Sequence, residues 1–132
     1  MILFVTEQYA GAEYLAPLLL RWQVESPVPW VLVAKGASVA CWMKSGITPL
    51  IPEGDHDLWL RRHWATWNPT VVVGSASKDG RLERAVVEMA QRHGVPSAQF
   101  IDMWTGYRAR FETEHGKLFL PDFLLAIDER CA

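Results

Sequence analysis

Thr70-Val71-Val72-Val73-Gly74-Ser75-Ala76-Ser77-Lys78-Asp79-Gly80 is the stretch that decides how this chain folds. Thr70 to Val73 form an unbroken β-branched run, the composition of a parallel strand covered on both faces. Asn68-Pro69 upstream is a turn signal that sets where the strand begins. Gly74 to Ser77 are all small, so backbone N–H groups there can approach an anion or a sugar closely. Asp79 is placed to cap a helix whose apolar positions, Leu82, Ala85, Val86, Met89 and Ala90, follow helical spacing. Arg84, Glu88 and Arg92 form an i,i+4 charged ladder on the opposite face. Gly94 ends the helix and Pro96 prevents its resumption. A helix N-terminus above the carboxyl end of a central strand is where open α/β sheets hold ligands. The loop completes neither G-x-G-x-x-G nor a P-loop, so a tight ligand-free turn is an equal reading of the same residues.

Outward from this unit the chain repeats the pattern. Ile2 to Thr6 reads as a buried strand, with Glu7 and Gln8 at its carboxyl end. A helix follows from about Gly11 to Val24, with Pro17 inside it, so that the helix starts late or kinks. Trp30 to Ala34 is a second strand, and Ala37 to Lys44 a short helix closed by Gly46. Ile47 to Ile51 reads as a short edge strand, because Pro49 cannot donate to a ladder. Asp55 to Trp67 is a further helix. Ser97 to Ile101 and Phe123 to Ile127 complete the strands. Strands alternating with helices imply parallel crossovers with helices on both faces. The expected fold is a Rossmann-like three-layer αβα sandwich, α/β in class, with a mostly parallel sheet of about six strands in a single domain over residues 1–132.

Bulk properties narrow the function classes. Half of the 132 residues are hydrophobic and 21% are charged, the balance of a globular chain. A net charge of -2 argues against nucleic acid as a partner, because no global basic field would hold the phosphates. Cys41 and Cys131 share no metal-binding spacing. The apolar runs are too short to span a bilayer, and Met1-Ile2-Leu3-Phe4 lacks a charged leader region, so a cytoplasmic location is expected. Seven tryptophans are many for this length, and Trp suits both cores and stacking on sugars or bases.

Candidate chemistry gathers at the carboxyl ends of the strands. Glu7, Asp102 and Asp128 fall just past strand ends, where side chains from different strands converge, and Asp102 or Asp128 there has the chemistry of a general base. The same acidic residues also suit turn caps. Thr6, Gly74, Ser75 and Ser77 line the same rim as substrate contacts. Trp104, Tyr107 and Arg108 add flat faces for a sugar ring and a guanidinium for phosphate or carboxylate. His56 and His63 are about 10 Å apart along a helix, too far for one metal ion, and no metal site is assigned. On the Trp59–Trp67 helix, Leu60, Trp64 and Trp67 share one face. An exposed Trp59 beside Arg62 would suit a peripheral membrane or partner contact, whereas a packed one would merely cover the sheet.

Several of these steps together resemble a known architecture. Gly11…Leu15…Pro17-Leu18, Val33-Ala34-Lys35-Gly36 and Gly46-Ile47-Thr48-Pro49 resemble the amino-terminal half of GT-B-type glycosyltransferases and the related UDP-sugar 2-epimerases. Val73-Gly74-Ser75-Ala76, Gly94-Val95-Pro96, Ile101-Asp102-Met103-Trp104…Tyr107-Arg108…Phe111 and Leu120-Pro121-Asp122 resemble polysaccharide-biosynthesis glycosyltransferases. The resemblance implies an acceptor-holding half-domain, a carbohydrate acceptor, no cofactor or required metal, and catalysis in a cleft shared with a donor-binding half. The sequence reaches Ala132 just after the last expected strand, so the expectation is either a piece or short relative of such an enzyme, or a chain that works with a separately encoded second half or as a homo-oligomer. Some such enzymes sit on the inner membrane face through an apolar-basic patch, the role the Trp59–Trp67 helix would take. A non-catalytic interaction module and a small-molecule or nucleotide-binding protein are the competing expectations.

Overall fold

The computed structural model describes residues 1–78, 80–101, 110–111 and 120–126. Strands β1 (Ile2–Thr6), β2 (Trp30–Ala34), β3 (Val71–Ser75), β4 (Ser97–Ile101) and β5 (Phe123–Ala126) are joined in one sheet of order β2-β1-β3-β4-β5. Every pairing is parallel, with Ile2 opposite both Trp30 and Val71, and Val72 opposite Ser97. Helices α1 (Tyr9–Glu25), α2 (Ala37–Lys44), α3 (His56–Trp67) and α4 (Arg81–Arg92) make the crossovers.

The strand alternation divides the core in two. Leu3 and Val5 of β1 point to one face, where they meet Val33, Val72, Leu60, Trp64, Leu82, Val86, Met89 and Ala90 beneath α3 and α4. Phe4 points to the other, against Leu32, Ala34, Ala12, Leu15, Leu19 and Trp42 beneath α1 and α2. Side chains of period two on a sheet covered on both sides give the three layers of a Rossmann-like sandwich.

Three local readings change in the folded chain. The strand expected at Ile47–Ile51 is reduced to one parallel bridge, Leu50 to Val33, held by Ala34 N–H to Leu50 O and Leu50 N–H to Leu32 O, both 2.9 Å. Pro49 and Pro52 on either side remove the donors that would extend it. Helix α1 does not start late at Pro17: it runs from Tyr9 to Glu25 with Pro17 inside it. Pro17 lies on its exposed side, where the Glu13 carbonyl it cannot satisfy meets water. The N-cap of α4 is Gly80, which has no side chain to cap with, and the capping bond comes from another part of the chain.

On α3 the aromatic residues pack inward. Trp64 is buried, and Trp59 and Trp67 lie against the core cluster. His63 sits between them, its ring 4.3 Å from that of Trp59 and 5.1 Å from that of Trp67, with Nδ1 2.8 Å from Trp59 O. Leu58, Arg61, Arg62, Ala65 and Thr66 are what this helix exposes.

Candidate functional site at the β1–β3 switch point

From β1 the chain passes to β2 on one side and later returns to β3 on the other. No helix can cover the gap where the two crossovers diverge, so a crevice opens beyond the carboxyl ends of β1 and β3. Into it project the residues after Thr6 and after Ser75, together with the first turn of α4.

Glu7 leads this edge. Its Oε1 accepts the Leu82 N–H at 2.9 Å, so a carboxylate from β1 caps α4 across 75 residues of sequence. That bond satisfies one of the donors a helix start leaves open and sets a negative group at the positive end of the helix. Burial pushes the Glu7 carboxyl above its ordinary range, against the pull of the Leu82 N–H and of Lys35, Arg84 and Arg81.

Beside it lies a second acid. Glu83, 1% exposed, sits on the core-facing side of α4 among Leu82, Val86, Val87 and Ala90. Ser75 Oγ donates to its Oε2 at 2.7 Å, while Oε1 makes no hydrogen bond of normal geometry among the described residues. Burial raises its pKa from 4.5 to about 8; Ser77 and Ser75 oppose the rise, and the neighbouring Glu7 adds to it. A side chain at Gly80 would clash with Glu83 and crowd Glu7: its Cβ would lie 2.6 Å from Glu83 Oε1 and 3.1 Å from Glu7 Oε2. Glycine at this turn is what lets the two carboxyls meet.

Outside Glu7 is a pocket of about 250 Å³ lined by Gln8, Lys35, Gly36, Ala37, His56 and Arg81. Lys35 Nζ lies 2.9 Å from His56 Nε2. Burial, then Lys35 and Arg81, push the His56 imidazole below its ordinary range while Asp55 pulls the other way, which favours a neutral ring whose Nε2 accepts a hydrogen bond from Lys35 Nζ. The result is a small cleft with cationic walls and an acid at its inner end. Such a cleft can hold a polar ligand that carries both negative charge and hydroxyl groups.

The structure distributes the expected site residues as follows. Glu7 lines the cleft, whereas Ser75 and Ser77 are buried behind it against Glu83 and are not among its lining residues. Thr6 reaches the same rim but is fully buried, its Oγ1 accepting the Trp42 indole N–H at 2.8 Å and its carbonyl accepting Ser38 Oγ at 3.1 Å. Gly74 serves close packing: a Cβ there would lie 2.6 Å from Val5 Cγ1 and 2.9 Å from Val5 O. Asp102, Trp104, Tyr107, Arg108 and Asp128 lie outside the described residues, as does Asp79. Lys35, His56, Arg81 and Glu83 were not anticipated as one site. The signal for Glu83 was present, since an acid falls on the apolar stripe of α4, but nothing local shows which strand it faces.

Comparison with solved structures places the fold. The chain superposes over 98% of its length on S. aureus MnaA in its co-structure with UDP, with a TM-score of 0.75 at 15% identity. Over the same share of its length it superposes on a Listeria monocytogenes protein provisionally described as a UDP-N-acetylglucosamine 2-epimerase, with a TM-score of 0.70 at 15% identity. In each case the match takes in 39% of the other chain. No family model matches the sequence, and no curated protein does either. The chain therefore shares the Rossmann-like fold of GT-B and UDP-sugar epimerase-like proteins.

Proposed function

We propose that this chain is the amino-terminal, acceptor-side half of a GT-B-like sugar-processing protein in glycan or surface-polysaccharide synthesis, and that it works together with a second, donor-binding half. The observation that carries this reading is the Glu7–Lys35–His56–Arg81 cleft at the switch point. It lies where this fold holds its ligands, in a chain that superposes on about two fifths of one protein solved with UDP and of another named for UDP-N-acetylglucosamine. Lys35 and Arg81 suit an anionic group, and Glu7 suits a sugar hydroxyl.

The test is a titration of the purified chain with UDP-sugars and, separately, with short acceptor oligosaccharides, followed by backbone amide shifts. Saturable shifts at Glu7, Lys35, Gly36 and Arg81 are expected with one class of ligand. Silence at these positions with both classes overturns the reading.

A further inference from the structure

Two acids and a glycine turn sit together beneath the cleft, and their arrangement goes beyond any particular ligand. Glu83 Oε1 and Glu7 Oε2 lie 2.6 and 3.1 Å from one point, the Cβ position of Gly80, so they are separated by no more than the two lengths together. Glu83 is enclosed by β3 and α4, with Oε2 bonded to Ser75 Oγ, Ser77 also acting on the carboxyl, and Oε1 without a hydrogen bond of normal geometry among the described residues. A buried carboxylate beside a second carboxylate is costly, and a proton on Glu83 removes both the buried charge and the repulsion.

We propose that Glu83 is a proton-carrying positioning residue: as a neutral acid it holds the Gly80 turn and the first turn of α4 where the Leu82 N–H can bind Glu7, and its ionisation disturbs that bond and so the presentation of Glu7 to the cleft. The groups facing the pair come from every neighbouring element. β3 and its loop supply Ser75 and Ser77, and α4 supplies Arg81 and Arg84. Lys35 follows β2, and His56, in contact with Lys35, opens α3. The frame behind them is held by Gln99 Nε2, which donates to Ser75 O at 3.0 Å, and by the buried guanidinium of Arg110, whose Nη1 donates to Ala76 O and places a positive charge behind the serines. The Lys35, Arg81 and Arg84 charges favour ionised Glu7. Glu83 is the more deeply buried of the two acids, so it is the member that keeps its proton, and its burial-raised pKa is consistent with that.

This inference stands without any ligand, so its failure is separable from failure of the sugar-binding reading. The experiment is a pH titration of the full chain with glutamate labelled at the carboxyl carbon, together with the Leu82 amide. Glu83→Gln and Glu7→Gln assign the two carboxyl signals. The expected result is a Glu83 midpoint above pH 7, with a second step at the same pH in both the Glu7 carboxyl and the Leu82 amide. In Glu83→Gln that second step disappears from both, and the Leu82 amide keeps the position it has in the native chain at acid pH. A structural role alone would leave no such step to lose. A Glu83 midpoint in the ordinary carboxylate range, or a Glu7 and Leu82 pair indifferent to it, overturns the proposal. If Glu83→Gln does not fold, Glu7→Gln decides: a lowered Glu83 midpoint supports the coupling and an unchanged one overturns it.

Discussion

Glu83 and Trp42 show how single buried side chains fix the site. The Glu83 carboxyl is raised from 4.5 to about 8 in the folded chain. An acid whose folded value lies above its unfolded one binds its proton more tightly when folded, so its contribution to stability is full below about pH 4.5 and is lost as pH rises through about 8. The loss is on the order of a few kcal/mol. Urea midpoints of the native chain are therefore expected to fall across this window, and those of Glu83→Gln to fall less and to exceed the native value at pH 8. The slope that Glu7 adds has the same sign and remains in the variant, because its carboxyl is raised as well. Trp42 and Thr6 are both fully buried and bonded to each other at 2.8 Å. Trp42→Phe leaves the Thr6 hydroxyl without its donor, at an expected cost of about 1–3 kcal/mol, measured by urea unfolding.

At the scale of elements, β1 and β3 must lie close enough for the ends of both to frame one crevice. Gly74 allows this, being opposite Val5 in the parallel register. Gly74→Ala would put a methyl 2.6 Å from Val5 Cγ1 and 2.9 Å from its carbonyl. Backbone does not move aside as a side chain does, so a destabilisation of about 1–3 kcal/mol is expected by chemical denaturation. The Glu7 carboxyl signal should shift with it, since the same pairing sets how far β1 reaches. The α3 helix carries the opposite lesson. Its tryptophans mark a packed face, and the stacking of Trp59, His63 and Trp67 leaves Leu58 as the large apolar residue it exposes.

For the whole molecule, the two edges of the sheet differ. Beside β2 the Leu50 bridge blunts the edge. At β5, Phe123, Leu124 and Leu125 are 62%, 47% and 51% exposed, and Leu120 is exposed beside them. Apolar side chains on both faces are the composition of an interior strand, and on an edge that no described strand covers they invite pairing with another chain. Concentration-dependent association is expected in analytical ultracentrifugation, and Leu124→Lys is expected to reduce it without changing the circular dichroism spectrum. Persistence of association in that variant would place the contact elsewhere.

The sequence by itself determined the layer order and the rim. Val71–Val73 and Leu3–Val5 could only be strands buried on both faces, and the helices between them forced parallel crossovers. That logic is local, resting on periodicity and on Gly and Pro, so it survives without coordinates. The tertiary structure alone decided which side chains share a site. Glu7 caps α4 rather than waiting at a free edge, Thr6 is spent on Trp42, and Lys35, His56 and Arg81 converge from three separate elements. The physical reason is that capping, burial and the charge of a buried acid depend on what lies across the sheet. Residues 75 positions apart in sequence carry no record of that neighbourhood in their own spacing.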